Sequence, residues 1–293
     1  MTFPAVHERN ADQATYWNGA GGRHWTARQA MQDALLAPVS ERLIAAAQVK
    51  PGERAIDIGC GCGATTLEIA AITGEAGRAL GLDLSEPMIA RARERAAQAK
   101  SPAKFLVADA TVHDVSAERA DLLTSRFGVM FFADPALSFA NMRRALKPGG
   151  RLAFVCWREA RLNPWMTVPL RAATRHAPRL PELGPEDPGP LSFADEARVR
   201  RILSAAGFTD IALAPHDLEL DLAVGQGLDN AIASTLEIGP ASRALDNQPD
   251  AVRAAAIAEI ARRSSPTGAD EASCSARRSG LSARGRDAVR VCA

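Results

Sequence analysis

The 293 residues carry a formal charge of +1, with 47 % hydrophobic and 24 % charged residues, an ordinary globular composition with room for a large core. That balance gives no electrostatic case for nucleic acid or an anionic membrane surface; no apolar run approaches the roughly 18 residues of a membrane span, and "MTFPAVHERNADQ" lacks the basic start and apolar centre of a signal peptide. Five cysteines, an odd count without framework spacing, fit a reducing compartment, so a cytoplasmic protein is expected.

In chain order, residues 1–50 read as an N-terminal helical cap, with an aromatic, glycine-rich patch, "YWNGAGGRHW" (16–25), ahead of "TARQAMQDALLAPVSERLIAAA". From Pro51 short apolar runs alternate with longer amphipathic ones. "RAIDI" (54–58) reads as a buried strand, and 65–73 as a helix stopping at Gly74. Residues 78–84 are the next strand, and Ser85 caps a helix over 86–99 with Pro87 in its first turn. Strands at 104–109 and 120–125 follow. A helix then runs from Pro135, behind Asp134, to about Leu146, closed by "KPGG" (147–150) before a strand at 151–157. A proline- and arginine-rich lid insertion (158–192), a helix within 195–208 and a strand near 209–214 complete a unit over 51–215. Such alternation predicts the α/β class, with a doubly wound, mostly parallel sheet. Residues 216–263 read as mostly helical, and 264–293 as an irregular or disordered tail. A shifted reading frame is a second account of that tail, because moving two nucleotides within plausible codons gives an apolar, strand-like run.

The loop in "AIDIGCGCGATTLEIA" (55–70) carries the chemistry. Cys60 and Cys62 lack zinc-site spacing and a second pair, and His113, His176 and His216 are scattered, so no metal is expected. A glycine-rich turn between a strand and a helix suits a nucleotide, and Gly59-x-Gly61-x-x-Ala64 fits the dinucleotide pattern. Asp83, twenty residues beyond Gly63, suits a ribose diol in either NAD or an adenosyl cofactor. Four features discriminate. Asp57 sits inside the first strand, where a carboxylate suits a ligand ammonium. "VADA" (107–110) places Asp109 where an adenine amine could donate. Thr65 and Thr66 open a helix that can hold a carboxylate, and "LKPGG" (146–150) turns sharply into the fifth strand. Ammonium, carboxylate, ribose and adenine together describe S-adenosylmethionine.

Those segments resemble the motifs of the class I S-adenosylmethionine-dependent methyltransferases, and most of all the ubiquinone/menaquinone-biosynthesis type of small-molecule enzyme. "TSRFGVMFFADP" (124–135) and "YWNGAGGRHW" resemble segments of one bacterial subgroup. The resemblance implies a Rossmann-like sheet ordered 3-2-1-4-5-7-6, with an antiparallel seventh strand that the printed tail offers no apolar run to supply. It implies methyl transfer by in-line displacement to a small, aromatic or lipid-like acceptor. The cofactor set is Asp57, Gly59, Cys60, Gly61, Thr66, Asp83, Leu84, Met88, Asp109, Ala110 and Ser125. Arg126 and Phe127, beyond the fourth strand, are expected beside the methyl group, with Val129 and Phe131 in the core. Tyr16, Trp17 and Trp25 are candidates to fold over the site or to staple the cap, and Trp157 and Trp165 to line an apolar acceptor pocket. No residue is forced into the role of general base; His176, in the insertion, is a candidate or a surface histidine. A nicotinamide-dependent oxidoreductase and an inactive relative that binds the cofactor are the alternatives.

Overall fold

A computed structural model of the chain describes residues 5–181, 183–184, 186–264 and 283–292. The N-terminal region folds into helices α1 (Ala11–Asn18), α2 (Ala20–Ala27) and α3 (Gln29–Ala47). The aromatic patch is therefore helical, broken only where Gly19 ends α1 and starts α2.

The central unit alternates β1 (Arg54–Ile58), α4 (Ala64–Thr73), β2 (Arg78–Asp83), α5 (Glu86–Gln98), β3 (Lys104–Val107), β4 (Ala120–Arg126), α6 (Pro135–Arg143) and β5 (Leu146–Trp157). The starts of α5 and α6 are capped by their own sequence. Ser85 Oγ accepts from the Met88 amide at 3.4 Å, and Asp134 Oδ1 from that of Leu137 at 3.1 Å. Ile56, Ile58, Leu82, Leu122 and Leu123 are fully buried, as strands covered on both faces require. The chain continues through α7 (Pro164–Ala173), α8 (Glu196–Ala205), β6 (Leu213–Leu220), α9 (Leu228–Ile238), α10 (Pro240–Leu245), α11 (Asp250–Ser264) and β7 (Ala283–Cys292).

The sheet order is β3-β2-β1-β4-β5-β7-β6. The first five strands are parallel, and β7 pairs antiparallel with β5 and β6. Three expectations change. The seventh strand is present, supplied by residues 283–292; the preceding stretch of the tail, 265–282, and the question of its reading frame lie outside the described residues. "KPGG" does not precede the fifth strand but interrupts it: Ala120 pairs with Leu146 and Leu122 with Arg151, so the proline–glycine turn bulges out of a strand that resumes its register. The sixth strand occupies 213–220, not 209–214, because Asp195 caps α8 and the chain stays irregular after Gly207. The boundary drawn at 215 thus falls inside β6.

Helix α7, from the insertion, packs with α9, α10 and α11 into a cap with its own small apolar clusters. One joins Ala173, Ala177, Ala241, Ala244, Leu245 and Ala256, and another Ala172, Ile232 and Ile260. Among the described residues no helix is long and apolar enough to cross a membrane.

Candidate functional site

Beyond the carboxyl ends of β1 and β4 the sheet's winding reverses, which opens a crevice in such folds. Here the crevice is a cavity of about 170 Å³, walled by the β1–α4 loop, the ends of β2, β4 and β5, helices α1–α3 and the cap. Its shape depends on glycine at one contact. Gly59, at φ 65°, lies so close to Gly128 that a Cβ on it would sit 2.6 Å from the Gly128 Cα. The glycine loop therefore packs against the segment that follows β4, which closes the cavity floor.

Three carboxylates face this space. Asp57 accepts from Thr66 Oγ1 at 2.7 Å and from Thr124 Oγ1 at 3.2 Å, and burial pushes its pKa up to about 6. Among the described residues no cationic side chain lies within ion-pair distance of it. Asp83 accepts from the amides of Gly61 and Ser85, each at 2.8 Å, and burial raises its pKa despite those bonds. Asp109 is more fully engaged. Asn10 Nδ2 donates to both of its oxygens at 2.9 Å, the His7 amide to Oδ2 at 2.9 Å and the Thr111 amide to Oδ1 at 2.8 Å. Those bonds use the acceptor positions of a carboxylate, so the expected bond from an adenine amine is available only if the N-terminal segment lets go.

That segment covers the crevice. Ser85 Oγ donates to the Trp17 carbonyl at 2.7 Å, and Asn18 Nδ2 to the Leu84 carbonyl at 3.0 Å. Trp17 stands edge-on to Phe131 at 5.2 Å and to Trp25 at 6.3 Å, and all three rings line the cavity. Phe131, expected in the core, thus faces the site, while Val129 is fully buried.

A second aromatic group also lines the cavity. Phe127 stacks on Trp157 at 4.3 Å, and Trp157 meets Trp165 of α7 edge-on at 5.4 Å. Phe127 holds φ at 69°, a left-handed conformation that costs a bulky residue about 1 kcal/mol or more, so surrounding contacts impose this orientation. The indole Nε1 of Trp165 is buried without a hydrogen-bond partner among the described residues.

Cys60 and Cys62 are buried free thiols. Burial, then the charges of Asp83 and Asp57, raises the Cys60 pKa well above the ordinary value, and burial pushes Cys62 up to about 11. Neither is a thiolate near neutrality. Among the described residues, no group of three or more His, Cys, Asp or Glu side chains gathers to hold a metal.

The cavity thus brings together Asp57, Gly59, Cys60, Gly61, Asp83, Leu84, Met88, Asp109, Ala110, Trp17, Trp25, Arg126, Phe127, Trp157 and Trp165. Thr66 and Ser125 stand behind it, fully buried: Thr66 holds Asp57, and Ser125 Oγ donates to the Ile58 carbonyl at 2.7 Å. Tyr16 lies outside, 39 % exposed, and His176 is on the surface. Asn10 and Gln13 line the cavity without having been expected. An asparagine just ahead of a helix reads as a cap, but this one makes no capping bond and spends its amide on Asp109.

A family model described as a methyltransferase domain matches residues 55–150. The chain is 29 % identical over 196 residues to a nocamycin O-methyltransferase from Saccharothrix syringae, covering 62 % of this chain and 69 % of that one. It is 33 % identical over 118 residues to the aklanonic acid methyltransferase DauC of a Streptomyces species (strain C5), covering 40 % and 54 %. It matches less than half the length of several other curated relatives. Among solved structures it is similar to a magnesium protoporphyrin IX methyltransferase from Synechocystis PCC 6803 with bound SAH, at a TM-score of 0.51 and 19 % identity over 73 % of this chain and 95 % of that one, a likeness of fold.

Proposed function

Because the chain belongs to the class I S-adenosylmethionine-dependent methyltransferases, we propose that it methylates a small, largely apolar acceptor of aromatic or lipid-like character. The observation that carries this reading is one cavity lined both by the carboxylates of Asp57 and Asp83 and by the rings of Phe127, Trp157 and Trp165. Asp57 fits the cofactor: a buried carboxylate with two hydroxyl donors and, among the described residues, no cation within ion-pair distance is stabilised by a ligand ammonium. When bound, S-adenosylmethionine supplies an electrophilic methyl group on a sulfonium.

The chain's own residues then bind, align and exclude water. Asp83, fixed by two backbone amides, takes the ribose hydroxyls, and Met88, Leu84 and Ala110 pack around the base. In this assignment Asp109 anchors the N-terminal segment over the base, and Thr66 and Ser125 act through Asp57 and the Ile58 carbonyl. Trp17 and Trp25 offer aromatic faces beside the glycine loop, where a sulfonium is attracted as other cations are. Phe127 and Trp157 hold a flat acceptor, and alignment of the two reactants is the main source of acceleration. Residues 51–215 carry the cofactor half, and the insertion with the C-terminal helices carries the acceptor wall. Two relatives are named for nocamycin and for aklanonic acid, which supports a small-molecule acceptor. The nicotinamide alternative draws no such support.

Calorimetry with S-adenosylmethionine and with NAD, followed by label transfer to a panel of aromatic acceptors, tests the reading. Binding of the methyl donor alone is expected; binding of NAD alone would sink it. Asp83→Ala is expected to weaken cofactor binding about 100-fold, in line with two lost charge-assisted hydrogen bonds. Trp157→Ala is expected to raise the acceptor KM about tenfold or more while leaving cofactor affinity in place.

A further inference from the structure

Arg126 and Phe127 are neighbours at the end of β4, yet their side chains meet different elements. Phe127 turns toward Trp157. Arg126 turns toward α3, where Nη1 donates to Ser40 Oγ at 2.8 Å, and it lies within the electrostatic reach of Asp57. Its side chain is 10 % exposed, and burial pulls its pKa down against the fields of Asp33, Asp57 and Glu68.

A guanidinium so covered needs a close anion, and the ion pair that Arg126 makes among the described residues is a long one. Asp33 is the carboxylate within 4 Å, but at 3.9 Å it lies beyond hydrogen-bond reach. Asp33 is also already matched: Arg95 pairs with it at 2.7 Å and Gln29 donates to it at 2.6 Å. Arg126 is therefore not spent as the counter-ion of Asp33. Five N–H donors in a planar fork suit a carboxylate held bidentately, and the bond to Ser40 occupies one of them.

We propose that Arg126 binds the α-carboxylate of the cofactor's methionine moiety, beside Asp57 at its ammonium, so that the two residues read the zwitterion as a pair. The inference rests on the cofactor assignment above and moves Arg126 from the acceptor side to the donor side. An acidic acceptor is the competing anion. It would have to place its own anion beside the buried carboxylate of Asp57.

Decarboxylated S-adenosylmethionine keeps the sulfonium and the ammonium and lacks only the carboxylate, which makes it the discriminating probe. In calorimetry the wild type is expected to prefer S-adenosylmethionine over the decarboxylated form by about tenfold or more, the effect of a charge-assisted pair. Arg126→Gln is expected to bring the two affinities within about twofold of each other by weakening only the carboxylate-bearing ligand, and Arg126→Lys to keep part of the preference. Unchanged affinity for the decarboxylated form serves as the check on folding; should the glutamine variant not fold, the preference of the lysine variant relative to wild type decides. A preference retained in full overturns the inference. So does an equal affinity of the wild type for both ligands, or a loss confined to acidic acceptors. Failure of the wild type to bind either ligand would instead overturn the cofactor assignment itself.

Discussion

Asp57 shows what a single side chain contributes and what it costs. Its pKa near 6, against an ordinary value of 3.8, means the folded state holds the proton more tightly than the unfolded chain does. Stability without ligand is therefore lost as pH rises from about 4 through 6, and the full penalty, on the order of 3 kcal/mol, persists above that window. Asp57→Asn removes it, since an amide can still accept from one threonine hydroxyl and donate to the other. The variant is expected to melt above wild type at pH 7.5, with the difference vanishing by pH 4. A lower melting temperature at pH 7.5 would mean that the field of Arg126 already compensates the charge. Cofactor affinity of the wild type is expected to fall about tenfold per pH unit below 6, as the carboxylate that we assign to the ammonium becomes protonated, and that of the variant to stay weak and flat. Asp57 and Asp83 are legible in the sequence because a carboxylate in or ending an apolar strand is anomalous. Arg126 is legible as a site residue but not by side, since which wall a strand-end residue meets depends on the helix packed above it.

At the scale of elements, the N-terminal helices behave as a clasp over the part of the crevice that we assign to adenosine. Asn10→Ala leaves the buried Asp109 with backbone donors only, at a cost of about 1–3 kcal/mol, and should loosen α1 without disturbing the sheet. Faster amide exchange across residues 5–18 and a faster cofactor off-rate are expected. Unaltered exchange would assign the clasp to the Trp17–Ser85 and Asn18–Leu84 contacts instead. This arrangement was not readable from local pattern, because the bond from Asn10 to Asp109 spans 99 residues. The elements from β1 to β5 are largely legible: their strands are mostly apolar runs, and α5 and α6 carry their own caps. The misplaced boundaries, at "KPGG" and at β6, fall where a turn signal sits inside a strand or where the strand is half exposed and weakly patterned.

Over the whole molecule, the parallel sheet and the antiparallel pair have different dependences. β6 has β7 as its strand partner, and β7 joins it to β5. A chain stopped after residue 264 should therefore lose the pairing of β6 and expose the outer edge of β5. The expected result is a fall in melting temperature of about 10 °C or more and concentration-dependent aggregation. Equal melting with and without residues 265–293 would show that the cofactor half stands without them. β7 went unseen in the sequence because "ARGRDAVRVC" alternates charged and small residues instead of presenting an apolar run.

The position of β7 also sets an order of events in the cell. Residues 283–292 are made after both of the strands they must separate, so β5 and β6 emerge with a vacant slot between them. While the ribosome works through residues 221–282, that slot is an open row of backbone donors and acceptors, the kind of surface that captures a neighbouring chain or a chaperone. Yield of this protein should accordingly follow translation speed across that stretch and chaperone supply, more than any property of the cofactor pocket.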